Sequence, residues 1–328
     1  MTNLNKIQNN TEILTYEEAF DLVKKEIERI LTKSPLMIRE YLSHLSLSQG
    51  KGIRAAAVLA CAVDKEGNLH PDAIKIAASI ELIHLASLVH DDVIDNADLR
   101  RGKATLQKKY GKRTAVICGD YLLSLALKLV YSTSDKNTYL SISVPDYIGK
   151  LCLGELNQHI NNNNLNLSIF QYLKIISGKT AALFEASFYA GAVVAKVDEK
   201  EAKKYRQIGF YIGMIFQLSD DCIDFDTTVE EANKPVQSDY EQGVITLPLI
   251  HALRENNEFR IKAMESGVSR TEINNAVKKT DGLKFTNFVI KKYYDKAMKR
   301  LNELDMGNDK KERLIAILNK SARLNPAK

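Results

Sequence analysis

Three aspartates, Asp91, Asp92 and Asp95, close an otherwise apolar stretch that runs from Ile80 to Gly102 and reads IELIHLASLVHDDVIDNADLRRG. Read as a helix, it places Asp91 and Asp95 one turn apart on one face, with Asp92 beside them. Like charges at that spacing cost an isolated helix about 0.2–0.5 kcal/mol per pair. Partial burial makes it worse, since two unit charges about 4 Å apart repel by about 4 kcal/mol at an effective dielectric of 20. A helix ending this way needs cations. Its ligands are hard oxygens presented singly, with no nearby Cys or His pair, and that suits Mg²⁺ holding a phosphorylated substrate.

One acidic cluster at a helix end is ordinarily a solvated cap. Here the spacing recurs: Phe210 to Asp226 reads FYIGMIFQLSDDCIDFD and delivers Asp220, Asp221 and Asp224 from a second apolar helical run. Two copies of D-D-x-x-D, each at the polar end of a buried helix, suggest two carboxylate jaws facing across a cavity with metal ions and a diphosphate between them.

The elements that must position these aspartates read as helices throughout. Thr15-Tyr-Glu-Glu18 fits a capping box for a helix to about Leu31, and Pro35 suits the first turn of the next. Arg54–Val63 follows the loop SQGKGIR, and Pro71 opens the long helix that carries the first motif. After Gly102, the basic stretch LQKKYGKR precedes a helix over Thr114–Tyr131. Ser168 caps a helix to about Val194 that is weakened at Ser177-Gly178-Lys179-Thr180, and Asp198-Glu-Lys-Glu201 caps the helix of the second motif. Pro248 begins another, with two or three amphipathic helices after it. No strand-like alternation is sustained and nothing reads as a linker. The expectation is an all-α chain, with a flexible tail over residues 1–13 and one domain over 14–328.

Composition narrows the partners. Forty-six basic against forty-one acidic residues leave a net charge of +5, mild enough to suit an anionic small substrate, with no basic tract dense enough for nucleic acid. Cys61, Cys118, Cys152 and Cys222 are far apart, in neither a metal pattern nor a disulfide framework, so a cytoplasmic location is expected. The opening MTNLNKIQNN lacks the charged-then-apolar order of a signal peptide, and no apolar run reaches the roughly 18–20 residues of a transmembrane segment without a charge.

From about Gly50 to Pro248 the chain resembles the trans-type (head-to-tail) polyprenyl diphosphate synthases, the family of farnesyl, geranylgeranyl and heptaprenyl diphosphate synthases. The likeness rests on the paired aspartate motifs, the first followed by Asp98-Leu-Arg-Arg-Gly102 and the second preceded by Phe216-Gln217. It implies the isoprenoid-synthase fold, a helical bundle around a deep central cavity, and condensation of isopentenyl diphosphate with an allylic diphosphate primer. It further implies three Mg²⁺ ions, two bound by Asp91 and Asp95 and the third by Asp220 with help from Asp224, while Asp92 and Asp221 act as supporting or partial ligands. Arg100 matches the position that contacts the allylic diphosphate, with Lys179, Thr180, Gln217 and Lys234 in the same pocket. Lys51, Arg54, His84 and Arg101 match the metal-free clamp for isopentenyl diphosphate. The other histidines, His44, His70, His90, His159 and His251, read as packing residues.

Two loops depart from the family pattern. The usual Gly-Gly-Lys-Arg-x-Arg-Pro appears as Gln49-Gly-Lys-Gly52-Ile-Arg54-Ala55, and the usual Gly-Lys-Pro-x-Gly-x-Asp as Asn233-Lys-Pro-Val-Gln237-Ser-Asp239. Product length is expected to follow from the helix before Asp91, where short-chain members often place a large aromatic that blocks the growing tail. Here Ala86 and Ser87 are small, which favours a medium-to-long product, with a floor near Leu82, Ile83, Ser79 and Ile80 or on the facing helix at Leu123 to Leu127. A short-chain farnesyl or geranylgeranyl synthase is the alternative. A homodimer is expected, and the catalytic half of a heteromer is a further reading. A class I terpene cyclase fits less well, since its usual Asn/Asp-x-x-Ser/Thr-x-x-x-Glu pattern is missing at Asp220–Asp226, as does a non-catalytic regulatory subunit, which would shed these aspartates or cations. A di-iron carboxylate bundle lacks its inward Glu-x-x-His pair.

Overall fold

Thr15 and Glu18 cap each other reciprocally: the Glu18 N–H donates to Thr15 Oγ1 at 3.2 Å, and the Thr15 N–H donates to Glu18 Oε2 at 2.9 Å. The helix they start is α1, Tyr16–Thr32. The computed structural model describes residues 14–46, 50–135, 142–226 and 239–324, so the tail expected over residues 1–13 lies outside it. Then come α2 (Leu36–Ser46), α3 (Ile53–Ala62) and α4 (Asp72–Ile94), a small hairpin of β1 (Leu99–Arg100) and β2 (Lys103–Ala104), α5 (Leu106–Tyr110) and α6 (Lys112–Tyr131). The chain continues with α7 (Val144–Ile160), α8 (Ile169–Ile176), a π-helical turn at Ser177–Ala181, α9 (Ala182–Val194) and α10 (Glu199–Asp226). A 3₁₀ turn at Asp239–Gln242 leads to α11 (Leu247–Glu255), α12 (Asn257–Glu265), α13 (Arg270–Lys279), α14 (Gly282–Asn302) and α15 (Asn308–Ser321). The all-α expectation holds among the described residues, apart from the hairpin.

The chain divides into two compact units. The first comprises Met1–Asp146, Leu183–Arg206 and Leu304–Ile317, and the second Tyr147–Ala182, Gln207–Glu303 and Leu318–Lys328. In the first, α4 is the core helix. Ala73, Ile74, Ile76, Ala77, Ala78, Ile80, Leu82, Ile83, Ala86 and Val89 are all buried along it, on every side rather than one stripe, because α6, α3 and α1 pack around it. A polar side chain in such a helix needs a partner, and Ser79 Oγ finds one by donating to the Ala126 carbonyl of α6 at 2.8 Å. By length and apolarity alone, α4 and α6 could each cross a membrane, with 61% and 33% of their apolar windows buried.

Past α4, the Ala97 carbonyl accepts from Thr105 Oγ1 and from Gln107 Nε2, each at 2.7 Å. The basic stretch LQKKY forms a short helix of its own, because Thr105 caps it, accepting the Lys108 N–H at 3.2 Å. The hairpin between α4 and α5 turns through Arg101 (φ 52°) and Gly102 (φ 75°), both left-handed as a two-residue hairpin loop requires.

The second unit builds its core from Tyr172, Ile175 and Ile176 of α8, Met214 and Leu218 of α10, and the apolar faces of α11 and α13. Ser168 caps α8 as expected, in a capping box with Gln171. The expected weak point at Ser177–Thr180 is a π turn, and its cause is a close crossing. A Cβ on Gly154 of α7 would meet the Lys179 nitrogen at 2.2 Å, and one on Gly178 would meet Gly154 Cα at 2.8 Å, so backbone lies directly on backbone. After α11 four helices follow rather than two or three, since Asn256, Ser269 and Asp281 begin separate ones.

Candidate active site

In the first unit, the cations expected around isopentenyl diphosphate gather near α4. Arg54, buried in the first turn of α3, lays its guanidinium over the Phe184 ring with 4.6 Å to the centroid. The Arg101 guanidinium sits so close to Gly50 that a Cβ there would meet it at 2.9 Å. His84 lies between these charges: burial, then the nearby Arg54, Arg100 and Arg101, push its imidazole well below the ordinary histidine value, so it is neutral at physiological pH. Lys51 is exposed at the mouth of the same loop.

Two of the three departures in this loop have structural reasons, and the third, Gln49, lies outside the described residues. Gly52, where the family has Arg, caps α3 with φ 61°, and a Cβ there would meet the Phe20 ring at 3.1 Å. Ala55, where the family has Pro, keeps an N–H that Pro lacks, and Glu81 Oε1 of α4 accepts it at 2.9 Å.

The first aspartates split in role. Asp92 points inward, 6% exposed, and accepts from Arg100 Nε at 2.8 Å. Burial raises its pKa above the ordinary carboxylate value, Arg100 opposes that rise, and Asp95 adds to it. Asp95 is exposed at the end of α4 and Asp91 half-buried. Arg100, expected on the allylic diphosphate, is therefore also the counter-charge of Asp92. Ala86 is fully buried, and Ser87 turns its hydroxyl back to the His84 carbonyl at 2.8 Å. The expected floor residues Leu82, Ile83, Ser79 and Ile80 are buried as well.

In the second unit, the π turn carries Lys179 and Thr180. Lys179 Nζ is 2.7 Å from Glu155 Oε1 on α7, an ion pair set by the Gly154–Gly178 crossing beside it. Thr180 Oγ1 donates to Gln217 Oε1 at 2.6 Å, and Gln217 Nε2 donates to Asp221 Oδ1 at 2.9 Å. The other oxygen of Asp221 accepts from the Tyr172 hydroxyl. Asp221 is 2% exposed, and its burial pushes the carboxyl up to about 7; Tyr172 and Gln217 hold it down, while Asp220 and Asp224 push it further up. Asp220 is exposed and ion-paired with Arg323 past the end of α15. Asp224 Oδ2 accepts the Asp239 N–H at 2.8 Å, and burial plus Asp224, Asp221 and Asp220 raise the Asp239 carboxyl to about 8 against the pull of Lys179. Lys234, Asn233 and Gln237 lie outside the described residues.

Sequence reading missed Glu155, Tyr172 and Arg323 and did not assign Glu81. Each acts on a residue far along the chain, and no local spacing marks such a contact. Among the described residues no three Asp, Glu, His or Cys side chains converge into a ready-made metal cage. Mg²⁺ needs none, because it is commonly held by one or two carboxylates plus substrate phosphates. The partly open carboxylates of Asp91, Asp95, Asp220 and Asp224 fit that mode.

A family profile described as Polyprenyl synthetase matches residues 35–280. The chain is 36% identical over 292 residues to Heptaprenyl diphosphate synthase component 2 of Bacillus subtilis (strain 168), covering 88% of this chain and 83% of that protein. It is similar to the crystal structure of heptaprenyl diphosphate synthase from Staphylococcus aureus, with TM-score 0.86 and 33% identity over 96% of this chain and 100% of that one. A polyprenyl synthase from Caulobacter crescentus CB15, complexed with calcium and isoprenyl diphosphate, matches with TM-score 0.83 and 30% identity over 95% and 96% of the two chains.

Proposed function

This chain belongs to the polyprenyl synthetase family, and from that premise we propose that it condenses isopentenyl diphosphate with an allylic diphosphate to give a medium-to-long trans-polyprenyl diphosphate. The observation that carries the reading is the gathering of Arg54, Arg100 and Arg101 around His84, which lies on the helix that ends in Asp91 and Asp95. Guanidinium groups gathered in this way offer charge-assisted hydrogen bonds, and a diphosphate is an anion they fit.

Lys51, Arg54 and Arg101 bind the diphosphate of isopentenyl diphosphate, with His84 as a neutral hydrogen-bonding partner. Arg100, Lys179 and Lys234 hold the allylic diphosphate, and Thr180 and Gln217 line its pocket. Asp91 and Asp95, and Asp220 with Asp224, would hold three Mg²⁺ ions, which would supply charge neutralisation for the leaving diphosphate. The allylic carbon–oxygen bond ionises, the double bond of isopentenyl diphosphate attacks the cation, and a proton is lost. In this scheme the departing pyrophosphate takes that proton. Ala86 and Ser87 leave room for the tail.

A homodimer in the cytoplasm completes the reading; no disulfide joins any of the four cysteines, in keeping with a reducing compartment. One observation favours a second form: the Bacillus subtilis relative is named component 2, so a heteromeric partner is the alternative to the homodimer.

Chromatography of products from purified chain with Mg²⁺, radiolabelled isopentenyl diphosphate and each allylic primer tests this. Wild type is expected to pass about twenty carbons and Ala86→Phe to stop near fifteen or twenty, since a ring cannot leave a packed layer and each helix turn of about 5.4 Å is on the scale of one isoprene unit. A wild type that stops near twenty carbons ends the long-chain reading. No condensation with any primer ends the reading of an autonomous synthase.

A further inference from the structure

Resting on that reading, we infer that Tyr172 is a positioning residue for the second aspartate motif: it holds Asp221 inward, away from the cation that the reading gives to Asp220 and Asp224, and it holds Gln217 in one orientation against Thr180.

The ring of Tyr172 is core, 3% exposed among Ile175, Ile176 and Leu218. A phenylalanine would fill that space equally well. The hydroxyl is what a core does not need, and a buried hydroxyl persists where it has a partner. Its partner is a carboxylate buried to the same degree, with neither arginine nor lysine donating to it in the hydrogen bonds that hold it. Both Asp221 oxygens are engaged by neutral donors, Oδ2 by Tyr172 and Oδ1 by Gln217 Nε2 at 2.9 Å. Asp221 is thus committed to protein while its neighbours on either side of the motif reach other partners.

The direction of the whole row follows. The Gln217 NH₂ donates to Asp221 Oδ1, which turns the Gln217 carbonyl toward Thr180. The Thr180 hydroxyl must then donate to Gln217, as the 2.6 Å contact from Oγ1 to Oε1 shows. Thr180 is left with its oxygen lone pairs, and no hydroxyl proton, to offer anything else. Tyr172 stands at the far end of this row and has no contact with substrate in this scheme. Losing its hydroxyl leaves Asp221 one donor short, free to turn toward the metal side of the motif and to release Gln217.

The test compares wild type with Tyr172→Phe, which keeps the ring. Calorimetric titration of Mg²⁺ with inorganic pyrophosphate, without turnover, is expected to show affinity at least about tenfold weaker in the variant, the usual scale for losing a partner that orients a metal ligand. The Mg²⁺ concentration for half-maximal activity should rise in parallel while KM for isopentenyl diphosphate stays unchanged, a split that general loosening would not produce. Asp221→Asn should weaken Mg²⁺–pyrophosphate binding in the same direction, and the double variant should be no worse than Asp221→Asn alone. Wild-type affinity in Tyr172→Phe, or additive losses in the double variant, overturns the assignment. A wild type that binds no Mg²⁺–pyrophosphate takes down the functional reading itself, and Tyr172 with it.

Discussion

The two D-D-x-x-D motifs have one spacing and two solutions to the same problem. In each, the middle aspartate turns inward and must be stabilised. Asp92 takes a cation, Arg100, from the hairpin eight residues on. Asp221 takes neutral donors, Gln217 one turn back and Tyr172 forty-nine residues away. At Asp92 a cation opposes the rise that burial brings, whereas at Asp221 only neutral donors oppose it and burial carries the carboxyl up to about 7. Identical spacing therefore specifies which face the outer carboxylates share, and leaves open how the inner one is held. The first motif is assembled locally; the second depends on helices packing correctly around it.

The largest effect tests whether the motifs are equals in chemistry despite this. Asp91→Ala and Asp220→Ala are each expected to lower kcat by about 10²–10³-fold, as removing one transition-state charge stabiliser does. Rates at saturating substrates and Mg²⁺ decide it, and full turnover of wild type in excess EDTA would remove the metal from both motifs. The next effect should separate them. Arg100→Ala strands a buried carboxylate and should cost about 1–3 kcal/mol in urea unfolding. Adding Asp92→Asn should recover most of that loss; if it recovers nothing, the Arg100–Asp92 pair is not what holds this helix end.

A third effect is a pair of opposite pH slopes. His84 is held below its ordinary 6.5, so on acidification the unfolded chain takes the proton first, and stability falls as pH drops below about 6.5. Asp221 and Asp239 are raised from 3.8 to about 7 and about 8, so the folded chain keeps protons the unfolded chain has lost. Their contribution therefore falls as pH rises from about 4 toward about 8. Urea midpoints measured across this range without metal should lose the acid-side slope in His84→Gln and part of the alkaline-side slope in Asp221→Asn. Unchanged slopes in both would mean other groups set them.

Much of this was readable in advance because it is local. The capping boxes at Thr15 and Ser168, the start of α4 at Pro71 and the soft point at Ser177–Thr180 all follow from residues within a turn or two of each other. The substrate cations could be placed only by resemblance to the family. What was not legible depends on distant neighbours. Nothing near Tyr172 announces Asp221, and nothing near Glu155 announces Lys179. The hairpin was missed because its strands are two residues each and its turn has Arg101 where Asn or Asp is the usual signal. The breaks between α11 and α14 were missed because single Asn, Ser and Asp residues make them.

That arginine has a consequence for any attempt to evolve this protein. Arg101 holds a left-handed backbone that suits glycine or asparagine better, at a cost of roughly 1–2 kcal/mol. A library selected for heat resistance should drift toward Gly or Asn at this position, while one selected for turnover should keep Arg. Position 101 is where the two selections would part company first.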